Sequence, residues 1–220
     1  MSTNVQFKNP FQKAKLYRYP YGDVLQGFGE NPALYKQHTS LGIQGHNGVD
    51  LYQPYGTHLL AVCDGTIAEI NENPQGYGQH IRMISQWVGG ECYEITYGHL
   101  SKIKSYLKPG DKVFAGEYLG DCGNSGFVVS AGVPYWGGSN PDKGGTHLHF
   151  GIREFSLSDT GWMTTYSTGN YYVKNYDNGF RGAIDPMPFF KDEIEKQAQS
   201  VIELAKKIIN QVKQYLKIYV

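Results

Sequence analysis

The chain has 220 residues, enough for one medium domain with appendages and a sizeable core. Lys plus Arg equals Asp plus Glu at 20 each, which excludes a bulk basic field for nucleic acid or acidic polymers, so any affinity for an anionic partner must be local. Gly at 28, Tyr at 18 and only 18% charged residues suit many short strands joined by glycine turns.

Residues 1–19 carry Lys8, Lys13, Lys15 and Arg18 without an acid and are expected to form an arm rather than a core element. Met1 to Lys15 has no apolar run resembling a signal-peptide core, and no stretch approaches a membrane span. The expectation is a soluble protein made in the cytosol.

From about Tyr19 to Pro188 the pattern predicts short β segments separated by glycine, organised as one domain over 20–190. Leu59 to Ile70 holds a strand with a turn near Asp64-Gly65, Gln79 to Gln86 alternates partly, and Cys92 to His99 reads as another strand. Lys108-Pro109-Gly110-Asp111-Lys112 is a turn followed by Val113 to Gly120, and Thr146 to Glu154 closes the set. No sustained helical periodicity occurs in this region, so the expectation is all-β and antiparallel. Two glycine-aromatic stretches interrupt it, Phe127 to Gly145 and Phe155 to Gly182; such loops either line a binding groove or pack onto the core. Cys63, Cys92 and Cys122 are odd in number with no CxxC pair, which argues for buried free thiols.

The last thirty residues change character. Ile194, Ala198, Val201, Ala205, Ile208, Val212, Tyr215 and Tyr219 follow a 4,3,4,3 spacing, flanked by Ile202, Ile209 and Leu216. This predicts an amphipathic helix over 191–220, with Asp192, Glu193 and Glu195 early and lysines late, as the helix dipole prefers. Its apolar stripe must be covered by its own domain, by self-association or by docking into a larger particle; adhesion to a membrane surface is a weaker fourth option.

Two strings carry the chemistry. Gly45-His46-Asn47-Gly48-Val49-Asp50 and Thr146-His147-Leu148-His149-Phe150 offer an imidazole–carboxylate pair and an imidazole pair, donor types that a catalytic zinc uses. If both lie on strands, positions two and four apart share a face. His46 would then project with Asp50 and His147 with His149, leaving Leu148, Phe150 and Ile152 to face a core. His46, Asp50 and one histidine of the pair would make three ligands, with a fourth position for water. A remaining imidazole, or His99 in Tyr97-Gly98-His99-Leu100, could then handle protons. His38, His58 and His80 have no partner at a ligand spacing.

The order of the strings adds to this. Gly45-His46-Asn47-Gly48-Val49-Asp50-Leu51, Ala61-Val62-Cys63-Asp64-Gly65-Thr66-Ile67, Gly76-Tyr77-Gly78, Thr96-Tyr97-Gly98-His99-Leu100-Ser101, Pro109-Gly110-Asp111-Lys112-Val113-Phe114-Ala115-Gly116, Gly123-Asn124-Ser125-Gly126 and Thr146-His147-Leu148-His149-Phe150 together resemble the lysostaphin-type (LytM-like) zinc endopeptidases. The resemblance runs from about Gly27 to Pro186. It implies a compact antiparallel β-sheet or sandwich fold of the duplicated hybrid motif kind, and hydrolysis of peptide bonds in bacterial peptidoglycan. It further implies zinc (Zn2+) held by His46, Asp50 and His149, with His147 and His99 beside the water as base or transition-state stabiliser.

Two departures, Phe127 to Gly145 before the HxH strand and the long aromatic stretch after Glu154, should reshape the groove. Rival readings are a non-catalytic relative acting as a wall-binding or activator module, and a lipoyl-type carrier suggested only by the 109–116 turn. A wall hydrolase without a signal peptide would need release by lysis, as a phage lysin, or delivery as a virion component docked through the C-terminal helix.

Overall fold

The computed structural model describes residues 5–12, 15–18, 23–37, 42–72 and 75–218. Lys13 of the N-terminal segment, His38 and Tyr219 of the helical repeat lie outside the described residues. In chain order the elements are β1 (Val24–Gln26), α1 (Pro32–Gln37), β2 (Val49–Leu51), β3 (His58–Leu60), β4 (Gly65–Asn71), β5 (His80–Ser85), β6 (Tyr93–Gly98), β7 (Leu100–Ile103), β8 (Lys112–Val113) and β9 (Tyr118–Cys122). They continue with β10 (Gly126–Ser130), β11 (Val133–Gly137), β12 (Leu148–Glu154), β13 (Trp162–Tyr166), β14 (Gly169–Val173), β15 (Ala183–Ile184) and α2 (Lys191–Ile218).

The principal sheet runs β1-β2-β12-β6-β5-β4-β8 with β15 beside β12, and a second sheet runs β3-β9-β7. Its pairings are antiparallel, as expected from the sequence. Period-two alternation divides the principal sheet cleanly. Val49 and Leu51, Leu148, Phe150 and Ile152, Tyr93, Ile95 and Tyr97, and Ile81 and Met83 enter one continuous apolar cluster with Leu59, Leu100 and Leu119 of the second sheet. The intervening residues, Asp50, His149, Gly151, Arg153, Glu94, Thr96 and Arg82, line a cleft on the opposite face. The core and the site are therefore the two faces of one sheet.

Several expectations are corrected. The N-terminal segment is not an arm outside the core. Val5, Phe7, Phe11 and Leu16 are buried in it, and Phe7 stacks on Phe189 at 4.9 Å while meeting Phe150 edge-on at 5.9 Å. Main-chain bonds from Phe7 N to Phe189 O and from Lys8 N to Val62 O, each 2.8 Å, hold it there. Four lysine or arginine residues masked these apolar positions because only alternate side chains need to turn inward. The all-β region contains a short helix, α1. Both glycine-aromatic stretches fold into hairpins, β10–β11 and β13–β14, rather than irregular loops. The three cysteines are free, with Cys92 and Cys122 buried, as expected.

A 3-10 turn over Met187–Phe190 seats Phe189 and Phe190 in the core just before α2, whose Ile194 packs against the same cluster, and the Gln197 side chain accepts a bond from Leu16 N at 3.1 Å. Beyond that, every side chain from Ala198 to Tyr215 is exposed. Its own domain does not cover the stripe. No described helix is long and apolar enough to cross a membrane.

Removing the Phe7 ring should open a cavity between β12 and the base of α2. Phe7→Ala is expected to cost about 3–5 kcal/mol, read as a lower urea midpoint with unchanged slope. An arm lying on the surface would lose under about 0.5 kcal/mol.

Candidate metal centre and cleft

Register places the first two site residues. In the β2–β12 pairing Asp50 stands directly opposite His149, and His149 in turn stands opposite Gly98 of β6. His46 is not on a strand, contrary to the sequence expectation; it lies in the bend before β2, because Asn47-Gly48 leaves the ladder. Two main-chain bonds hold that bend, Gly29 N to His46 O at 2.8 Å and His46 N to Glu30 O at 2.9 Å. Gly45 permits this approach, since a Cβ there would lie 2.5 Å from Gly29 O. His147 sits just before β12, bridged to Gly123.

Three donor atoms converge. His46 Nε2 lies 3.0 Å from His149 Nδ1 and 3.1 Å from Asp50 Oδ1, and His149 Nδ1 lies 3.2 Å from the same oxygen. A tetrahedral zinc with ligand bonds near 2.0–2.1 Å separates its ligand atoms by roughly 3.3 Å, so the triad is close to the size required. The proton inventory also fits a cation. His46 donates Nδ1–H to Gly27 O at 3.1 Å, which leaves its Nε2 lone pair facing the Asp50 carboxylate. Lone pairs so disposed repel unless a proton or a metal sits among them.

Electrostatics support the same picture. Burial alone would raise the Asp50 carboxyl, but His147, His46 and His149 around it hold it well below the usual carboxylate range. Burial pushes His149 down to about 4, against the opposing pull of Asp50. Near neutrality the centre therefore contains a carboxylate and a neutral imidazole at His149, as a metal needs. At His46, against the burial that would lower it, the Asp50 carboxylate raises the imidazole above its ordinary value, so proton and metal compete at its Nε2.

The two other histidines flank the triad. His147 Nε2 is 3.6 Å from Asp50 Oδ1, and the His99 and His147 rings lie 4.7 Å apart. Each donates Nδ1–H to a carbonyl at 2.7 Å, His99 to Ser125 and His147 to Gly145, so Nε2 is the atom left for chemistry. Burial, followed by the neighbouring His147 and His149, holds His99 well below its ordinary value, hence neutral. His99 also adopts φ +63° where the chain leaves β6 for β7, a conformation uncommon outside glycine and concentrated at functional sites.

Several supporting residues were not legible as such. Tyr77 stacks on His149 at 4.8 Å and its hydroxyl accepts from Asn47 Nδ2 at 2.6 Å. Only its flanking glycines hinted at a tight site. The Asn124 side chain bonds main-chain groups of Asn140 and Lys143 at 2.6–2.9 Å, anchoring the segment after β11. Ser125 Oγ donates to Leu100 O at 2.7 Å while its carbonyl holds His99. His58 lies on the surface against Asp121 at 2.8 Å, and His80 is buried with Nδ1 2.8 Å from Gly78 O; neither joins the centre.

The cleft has a volume of about 1140 Å³. Phe127 and Trp136, their rings tilted at 43° with centroids 4.9 Å apart across the β10–β11 hairpin, form one wall. At another part of the floor Arg153 Nε donates to the buried Glu94 at 2.9 Å, and Tyr166 of β13 bonds the same carboxylate, tying the second hairpin to the sheet.

Residues 44–161 match the profile of Peptidase family M23, more than half of the chain, and the protein belongs to that family of peptidases. Among curated relatives, glycyl-glycine endopeptidase ALE-1 of Staphylococcus capitis is 29% identical over 168 residues, 76% of this chain and 33% of the relative. Peptidoglycan DD-endopeptidase ShyA of Vibrio cholerae is 34% identical over 90 residues, 41% of this chain and 19% of the relative. The chain thus matches a third or less of the length of these relatives. Among solved structures, the catalytic domain of lysostaphin from Staphylococcus simulans is 28% identical, covering 76% of this chain and 90% of that one with a TM-score of 0.47.

Two outcomes are expected from this geometry. A Cβ at Gly48 would lie 2.7 Å from His149 Cε1 and 2.6 Å from Phe150 O. Gly48→Ala should therefore displace the His149 ring and weaken metal binding at this candidate centre about 10–100-fold in a competition titration, as loss of ligand orientation does. Glu94 is held below its ordinary 4.5 against burial by Arg153 and Arg82. A depressed carboxylate contributes stability that is present above the unfolded value and lost as pH falls through the folded one. Glu94→Gln should cost about 3–5 kcal/mol at pH 7, and the gap to wild type should narrow in urea melts below pH 4.5.

Proposed function

We propose that this chain is a zinc-dependent endopeptidase that hydrolyses peptide bonds of bacterial cell-wall peptidoglycan. His46, Asp50 and His149 are assigned as metal ligands, and His99 and His147 as the proton-handling pair. The observation that carries the reading is the approach of His46 Nε2, Asp50 Oδ1 and His149 Nδ1 to 3.0–3.2 Å of one another, beside two imidazoles whose Nδ1 atoms are already engaged.

Bound zinc supplies Lewis acidity toward the scissile carbonyl and toward water. The remaining work falls to the protein. His99 and His147 present Nε2 lone pairs while neutral, so either can accept the proton of the attacking water. Once protonated, that Nε2–H can donate to the developing oxyanion or return the proton to the leaving amine, which balances the proton over the cycle. Fixed Nδ1–H bonds to Ser125 O and Gly145 O keep both rings aimed without reorganisation. A peptide substrate is accommodated along the sheet face between α1 and the β10–β11 hairpin, whose Tyr35 and Trp136 line the cleft. The name of ShyA, a peptidoglycan DD-endopeptidase, supports peptidoglycan as the polymer, and that of ALE-1, a glycyl-glycine endopeptidase, supports cleavage of a peptide bond. Retention of all five polar positions favours catalysis over a binding or activator module.

The test is release of new amino termini from isolated peptidoglycan, with chelator and with zinc restored. Activity should vanish on chelation and return with zinc, and mass spectra of the fragments would name the bond. His46→Ala, Asp50→Ala and His149→Ala should each lose bound zinc. His99→Ala and His147→Ala should retain it while turnover drops about 10²–10⁴-fold, as for loss of a general acid–base. Zinc retained in the His149 variant and lost in the His147 variant would exchange those two assignments. A zinc-loaded chain that cleaves no wall type would overturn catalysis in favour of a binding module.

A further inference from the structure

The exposed part of α2 is an apolar surface with no covering element among the described residues. Val201 and Ile202, Leu204, Ile208 and Ile209, Val212 and Tyr215 are each about half exposed or more, up to 66% at Tyr215. A 28-residue helix that leaves its domain after two turns gains nothing from such a stripe unless something packs on it. We propose that α2 pairs antiparallel with α2 of a second copy of this chain.

Two features select that occupant and that direction. The first is layer volume. In the 4,3,4,3 pattern Ala198, Ala205 and Val212 occupy one core column and Val201, Ile208 and Tyr215 the other. Antiparallel pairs set one column against the other, so Ala198 meets Tyr215, Val201 meets Val212 and Ala205 meets Ile208. Each small residue then faces a larger one, which fills successive layers evenly. A parallel pair would stack Ala on Ala at two layers and Tyr on Tyr at another.

The second is charge. Before Leu204, Asp192, Glu193, Glu195 and Glu203 share the helix with Lys191 and Lys196, whereas Lys206, Lys207, Lys213 and Lys217 follow it with no acid among them. Antiparallel pairing opposes the two dipoles and, between Ala198 and Tyr215, leaves only Lys206 and Lys207 facing one another across the register, with Lys213 opposite Ser200; parallel pairing sets every lysine beside its own counterpart. Ile202 and Ile209 extend the seam on one side, and no charged residue interrupts the core columns from Ala198 to Tyr215. The overlap from Ala198 to Tyr215 spans about 26 Å at 1.5 Å per residue, and it stops short of the turns through which α2 is seated on its own domain. The two clefts would then lie at opposite ends of the pair. On a polymeric substrate, two heads on one rod raise the effective concentration of the second once the first is bound.

The test uses the full chain. Sedimentation over a wide concentration range should show a monomer–dimer equilibrium, and Ile208→Lys should shift it to monomer without altering cleavage of a small soluble peptide. Direction is read by oxidising an equimolar mixture of Ala198→Cys and Tyr215→Cys chains, with the unsubstituted chain as control for the native thiols. Antiparallel pairing predicts the mixed 198–215 disulfide alone, because like positions would be about 26 Å apart, far beyond the ~4.4–6.8 Å that a disulfide bridges. Homodisulfides of each variant would overturn the antiparallel arrangement. A monomer at every concentration would overturn self-association and leave a membrane surface or a larger particle as the occupant, whatever the outcome of the cleavage assay.

Discussion

The pairing of β12 between β2 and β6 is the constraint on which both stability and chemistry rest. Its inward positions, Leu148, Phe150 and Ile152, anchor the apolar cluster, and its outward position His149 faces Asp50 on one neighbour and Gly98 on the other. A slip of one residue would put Leu148 and Phe150 into the cleft and bury His149 among apolar side chains. The burial of Phe150 against Phe7 and Tyr97 therefore sets the coordinates of the candidate metal centre. The site is rigid because the core beneath it is.

Around that ladder the histidines are held mostly by main-chain carbonyls. Gly27, Ser125 and Gly145 each accept an imidazole N–H, which selects the tautomer and aims the other nitrogen at one point. Backbone acceptors suit this purpose because they carry no charge to compete for a cation and do not change rotamer. The cost appears as strain at His99 and as glycine at positions where any Cβ would strike a neighbour, Gly45 and Gly48 among them. Asn124 and Ser125 divide the support: one ties down the segment after β11, the other positions His99.

The two inserted hairpins make this cleft particular. β10–β11 raises Phe127 and Trp136 beside the histidines, and β13–β14 is pinned through Tyr166 to the Glu94–Arg153 pair on the sheet. These hairpins wall the cleft while contributing Val128 and Val173 to the buried apolar residues.

How much of this was legible in the chain depends on the range of the interaction. His46, Asp50, His147 and His149 stood out because ligand chemistry needs those residue types at short spacings, and the strands were visible because a two-sided sheet imposes alternation. Their order along the chain pointed to the family that the profile match then established. Three things were settled only by tertiary structure. Phe7 became core because Phe189 and Phe150 came to meet it from more than a hundred residues away. His46 reached Asp50 from a bend rather than a strand, since the loop at Gly27–Glu30, not local periodicity, holds it. Glu94 and Arg153 found each other through strand register, which no local pattern encodes. Local chemistry and period-two burial determined what the residues are for; long-range packing, which only a closed core enforces, decided where they stand.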